Sequence, residues 1–176
     1  NPNLTDVTFR GNLAKSKGSY AVGGGMYNSN SSPMLTRVAF NSNRARGIGG
    51  GMYNYKSSPM LFNVIFTGNK TGGTDQSFGG GMFNTDDSSP VLTNVVFTGN
   101  YANVVGGGMA NYHDCSPTLI NVTFAGNWAN HGGGGMRNTK SSPTLVNCIM
   151  WGNGANSGGR QMENLYQSWP SISYSD

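Results

Sequence analysis

The sequence predicts an all-β fold: a right-handed parallel β-helix (solenoid) of about six coils of 26–31 residues, with three short strands per coil. Three observations lead there. The word G-G-G-M-x-N stands at residues 23–28, 49–54, 79–84, 106–111 and 133–138, and fades to GRQMEN at 159–164. All seven prolines, at positions 2, 33, 59, 90, 117, 143 and 170, fall on one frame with spacings of 26 to 31 residues. No unit carries the apolar period of a helix, whereas short alternating segments recur in each one. Units of this length are too short for a propeller blade, so each must bury its few apolar side chains against its neighbours in a stack.

Composition agrees with order that comes from placement. Leu, Ile, Val and Phe make up only 32 of 176 residues, a content that in a highly charged chain would mean disorder. Here 10% of residues are charged, the net charge is +4, and the apolar residues keep fixed positions. The chain reads as one repeat domain over 1–176, with units starting near 2, 33, 59, 90, 117 and 143 and a partial one at 170. It opens on NPNLTDVTF, the middle of a unit, so a fragment or processed product of a longer chain is expected. No run approaches the roughly 18 apolar residues of a membrane-spanning helix. Cys115 and Cys148 occupy different frame positions, which favours two separate thiols over a disulfide.

Each unit opens with P-x-L, where Leu4, Leu35, Leu61, Leu92, Leu119 and Leu145 precede the V-x-F word by three residues. The inward phase must reset between them, so the chain bends there. Asn63, Asn94, Asn121 and Asn147 suit that bend, since Asn tolerates the left-handed conformation. A variable loop follows F-x-x-N and takes nearly all the extra residues, in the loops ending at Gly23 and Gly79. The triple Gly is expected to round a corner where backbones crowd, Met to fill an irregular core niche, and the Asn of M-x-N to close its strand at another corner. Strands are placed near M-x-N, P-x-L and V-x-F. At roughly 4.8 Å per strand, six coils rise about 29 Å, and the right hand is the one parallel crossovers almost always take. Two Asn columns, Asn12, Asn43, Asn69, Asn100, Asn127, Asn153 and Asn28, Asn54, Asn84, Asn111, Asn138, Asn164, are expected to form structural amide ladders between coils.

With G-G-G-M and the words FRGN, FNSN, FTGN, FTGN, FAGN and MWGN in view, the chain resembles the repeat region of polymorphic outer membrane proteins and related bacterial surface proteins. That family pairs a G-G-A-[IL]-like word with F-x-x-N. This chain departs from it in writing GGGM. The closing stretch from MWGN to SISYSD also resembles the last repeat of large secreted bacterial β-helix proteins. The resemblance implies a secreted or surface-displayed passenger used in adhesion.

Other β-helices degrade polysaccharides, and such sites need carboxylates converging on one face. None of the seven acids lies at an outward position of a V-x-F strand. Asp87 and Asp114 share a frame position with Lys56 and Lys140, and Asp86 lies beside them; this reads first as a solvated charge ladder, with a weak calcium site as the alternative. His113 and His131 lack paired metal spacing. No catalytic residues and no cofactor are assigned.

Lys15, Lys17, Arg44, Arg46 and Lys70 follow F-x-x-N in the first three units and should cluster along one edge. A solvated loop patch is the simplest reading. Such an edge also attracts acidic polysaccharide or phosphate, while binding of nucleic acid is not expected. Tyr27, Tyr53 and Phe83 form an outward aromatic column that either binds sugar faces or supports neighbouring strands. The outward line Thr8, Ala39, Ile65, Val96, Thr123 and Ile149 is uncharged and can dock a partner sheet.

The function expected is a non-enzymatic extracellular or cell-surface scaffold of adhesin type that binds glycans or cell-surface components. One alternative is a structural subunit that self-associates through open β-helix ends into an extracellular filament. Another is a polysaccharide-degrading enzyme or its accessory binding domain.

Overall fold

The computed structural model describes residues 1–16 and 20–175. The chain is a parallel β-solenoid of about six turns, without a helix among the described residues. Each turn carries four strands rather than three, and the strands stack into one seven-stranded and three six-stranded sheets. In the second coil these strands are Met34–Thr36, Ala39–Asn41, Arg44–Ala45 and Met52–Tyr55. We name the four sheets Leu, Phe, Ala and Met after their inward residues. All pairing is parallel and repeat-in-register: Leu35 lies beside Leu61, Phe40 beside Phe66, Ala45 beside Thr71 and Met52 beside Met82. The Ala strand escapes sequence reading because two residues give no alternation to detect.

Four corners separate the four strands, and each is turned by a residue of positive φ. Between the Leu and Phe strands it is Arg37, Asn63, Asn94, Asn121 or Asn147, with φ of 53° to 55°. Gly68, Gly99, Gly126 and Gly152 turn the next corner, all at 61° to 63°. The first Gly of each triplet, such as Gly79 at 64°, turns the third. At the fourth stand Asn30, Lys56 and Lys140, and in other coils the pairs Asp86–Asp87, His113–Asp114 and Tyr166–Gln167. Those pairs are a second place where a coil accepts an extra residue, so insertion is not confined to the loop after F-x-x-N. The Asn of M-x-N also differs from expectation. It lies inside the strand Met82–Thr85 and its equivalents, one residue before the end, and the corner follows it.

The other two glycines of each triplet are fixed by space. A methyl group on Gly80 would lie 2.5 Å from the carbonyl oxygens of both Gly107 and Tyr101, and one on Gly81 2.9 Å from the Phe97 ring. The triplet of one coil therefore lies directly on the Ala strand of the next. That strand turns Ala45, Thr71, Ala102 and Ala129 inward, each fully buried, so small side chains fill this layer.

The remaining interior is filled by like-on-like columns. Phe40, Phe66, Phe97 and Phe124 are fully buried and stack face to face with centroids 4.7 Å apart. Leu35, Leu92 and Leu119 form a second column, and Met52, Met82, Met109 and Met136 a third. The buried amides are satisfied in the same direction, whereas the Thr71 and Thr139 hydroxyls have no partner among the described residues. Asn69 Nδ2 donates to Asn100 Oδ1 at 3.0 Å and to the Phe40 carbonyl at 2.8 Å, and the backbone N–H of Asn69 donates to the same Asn100 oxygen. On the Met sheet, Asn54 donates to Asn84, Asn84 to Asn111 and Asn111 to Asn138, each at 2.8 Å. A hydroxyl ladder lies just before each Pro: Ser57 N–H donates to Ser88 Oγ and Ser89 N–H to Ser58 Oγ, both at 2.9 Å.

Two substitutions separate crowding from conformation. Gly80→Ala should cost about 3 kcal/mol or more, because backbone must move. Gly99→Ala, where φ is 61° but nothing lies within 4 Å, should cost only about 1 kcal/mol. Urea midpoints of the two variants check the order. By the same measurement, Asn100→Ala, which strips the acceptor from two buried Asn69 donors, should cost about 3 kcal/mol, against about 1 to 2 for Asn94→Ala, where an exposed corner ladder and a left-handed backbone at φ 55° are affected.

Candidate functional site

The corner geometry decides which side chains face out together. The residue directly after F-x-x-N begins the Ala strand with its side chain outward, so Leu13, Arg44, Lys70, Tyr101, Trp128 and Gly154 form one register column. Two residues later comes a parallel row. Arg46 hydrogen bonds back to Ala14, Gly72 to Ala45 and Asn130 to Ala102, which puts Lys15, Arg46, Gly72, Asn103 and Asn130 side by side. The expected basic edge is therefore a strand face rather than a loop cluster. Lys15, Arg44 and Arg46 line a shallow depression of about 200 Å³ with Leu13. Lys17 lies outside the described residues.

Among the described residues, none of Lys15, Arg44, Arg46 and Lys70 makes an ion pair; the pairs formed are Arg37–Asp6 and Arg137–Glu163. Lys70 Nζ instead lies over the Tyr101 ring, 4.5 Å from its centroid. Tyr101 donates its hydroxyl to Asn130 Oδ1 at 3.0 Å, and Asn130 Nδ2 donates to Asn103 at 3.2 Å. The edge of the Trp128 ring reaches over Gly154, where an added methyl group would meet Cε3 and Cζ3, and the residue remains 41% exposed. Tyr101 and Trp128 were not among the residues expected to bind. Their place directly after F-x-x-N, shared with Arg44 and Lys70, is the signal that would have found them.

Around the glycine corner lies the aromatic column of the Met sheet. Tyr27 is 53% exposed and Tyr53 half-buried, with ring centroids 5.3 Å apart. Phe83 corrects the expectation of three open rings: it is 4% exposed, because Phe78, directly before its glycine triplet, packs against it and Tyr112 packs from the next coil. It is the floor of an aromatic cluster, not a docking ring. Farther along, the same column becomes the largely buried pair of Arg137 and Glu163. Burial, with the nearby Tyr27 and Asp86 charges, pushes the Tyr53 phenol up to about 12.

At the acidic corner, Asp86 accepts the Thr85 hydroxyl at 2.9 Å, whereas Asp114 lines a polar depression with Lys140, Ser116 and Gln167. No group of three or more His, Cys, Asp or Glu side chains converges among the described residues, Asp86, Asp87 and Asp114 included. His113 Nδ1 stands 3.4 Å from the Thr85 hydroxyl, and His131 is exposed in its loop. Cys115 and Cys148 are free and buried.

Charge is segregated around the solenoid. In the strands of the Leu and Phe sheets only Arg10 is charged, and Met34, Met60, Phe62, Ile65 and Ile149 are exposed there. Arg10 apart, the charged side chains in strands therefore lie on the Ala and Met sheets. No protein-family model, curated protein or solved structure matches the chain. No helix is long and apolar enough to cross a membrane.

The buried thiols give a pH prediction. Burial pushes Cys115 up to about 12 and raises Cys148 as well. The unfolded chain then releases these protons first. Stability should hold below about pH 9 and fall as pH rises toward 12. Denaturation midpoints from pH 7 upward check this, and a thiol reagent at pH 8 should label neither cysteine until the chain is unfolded.

Proposed function

We propose that this chain is a non-enzymatic, secreted or surface-displayed scaffold of adhesin type that binds glycans. The observation that carries the reading is the outer face of the Ala sheet, where unpaired cations, amides and an open Trp ring share a register on a rigid support. A glycan needs hydrogen-bonding groups for its hydroxyls and a flat apolar surface for its ring faces, and this face offers both. The adjoining Tyr27–Tyr53 pair extends the aromatic surface. The likeness of the GGGM and F-x-x-N words to polymorphic outer membrane protein repeats supports a place at the bacterial surface. An enzyme reading has less support, because among the described residues no group of three or more His, Cys, Asp or Glu side chains converges.

A second reading, a structural subunit that assembles with copies of itself, is favoured by the uncharged outer faces of the Leu and Phe sheets. Light scattering across a concentration series separates the two.

Screened against immobilised neutral and acidic glycans, the protein should retain at least one class and release no new reducing ends from it. A blank screen would remove the adhesin reading, and steady product release would replace it with the enzymatic one.

A further inference from the structure

Building on the glycan reading, we infer that the outer face of the Ala sheet is a track for a linear acidic polysaccharide running along the solenoid axis, its acid groups over Lys15, Arg44, Arg46 and Lys70 and a sugar ring stacked on Trp128.

The track has two halves. In coils one to three, the four cations occupy two outward columns, neighbours along the axis being about 4.8 Å apart and the columns about 7 Å apart. Like charges at this spacing repel, and no acid on the strands offsets them. Exposed Asp75 follows in the loop after Gly73 and makes no ion pair. An acidic polymer laid across the strands relieves that repulsion at successive coils. In coils four to six, the same columns change to Tyr101, Trp128 and Gly154 and to the amides Asn103, Asn130 and Asn156. Gly154 leaves room for the edge of the Trp128 ring, and the indole stays 41% exposed.

A single-stranded nucleic acid also seeks cations with aromatic rings, but it uses successive stacking platforms. This face has one open platform. Tyr101 is occupied on its ring by Lys70 and at its hydroxyl by Asn130. The row of amides beside Trp128 suits a chain that presents hydroxyl groups at every residue. An acidic peptide would satisfy the cations and leave the Trp and amide half without a partner.

The test measures binding of the intact protein to polygalacturonate, neutral dextran, polyglutamate and poly(dT) at several salt concentrations. Polygalacturonate should bind most tightly and weaken as salt rises. Arg44→Ala with Lys70→Ala should weaken it roughly tenfold or more. Trp128→Ala should weaken it about fivefold, while Lys140→Ala on the far corner leaves it unchanged. In a Trp151→Phe, Trp169→Phe background, the remaining Trp128 fluorescence should shift with polygalacturonate and not with polyglutamate. All variants replace exposed side chains, and thermal unfolding verifies that each is folded. If polyglutamate or poly(dT) binds as tightly, the track reads charge alone or nucleic acid, and the inference fails. If neutral glycans bind and polygalacturonate binds no better, the inference fails while the glycan reading stands. If no glycan binds at all, both fail.

Discussion

The structure rests on the spacing of parallel strands. Hydrogen bonding sets neighbouring coils about 4.8 Å apart, and every side chain in a repeat meets its own equivalent at that distance. Only groups that tolerate a copy of themselves there can be repeated. Phe does, as rings stacked at 4.7 Å. Asn does, because an amide is both donor and acceptor and can pass a hydrogen bond to an identical neighbour at 2.8 Å. Ser, placed just before each Pro, does so through its hydroxyl and the next backbone N–H. The unusual composition, rich in Gly and Asn and poor in charge, follows from this selection rule.

Charged groups fail the rule, and the molecule handles most of them in two ways. Arg37 stacks on Asp6 and Arg137 on Glu163, so that unlike charges meet in adjacent coils. Arg37 also holds the Asp6 carboxyl below its ordinary value through their hydrogen bonds. Lys70 stacks on the Tyr101 ring, trading an ion pair for a cation–π contact. Arg44, and Lys15 beside Arg46, use no such device. A place where local rules are broken without internal compensation is where an external partner is most reasonably sought.

Much of the architecture was legible in the sequence because the repeat writes its constraints in duplicate. The Leu, Phe and Met columns, the parallel order and the Asn at the first corner could be read from residue type and spacing alone. The Ala strand could not, since its two residues hold no period; only the register shows that Ala45, Thr71, Ala102 and Ala129 share one inward column. The in-strand place of the M-x-N amide was missed because Asn is read first as a turn residue, while here the ladder on its neighbours outweighs that preference. At the candidate site, the basic residues were visible as charges, but their alignment with Tyr101 and Trp128 needed the register. Burial of Phe83 comes from Phe78, which stands directly before its glycine triplet as Val22, Ile48 and Val105 do in theirs, and from Tyr112 of the next coil; residue type alone did not show that these rings meet.

The hydrogen bonds that join the coils all point along the axis. Tension applied between the two ends of such a stack therefore loads successive boundaries in series, each held by the same set of strands. A coil that yields adds 26 to 31 residues of slack, about 90 to 105 Å of extended chain in place of one rung. The next boundary is untouched, because each coil touches only its neighbours. Under load the solenoid behaves as a row of equal fuses, lengthening in steps while the intact coils keep their outer faces in order.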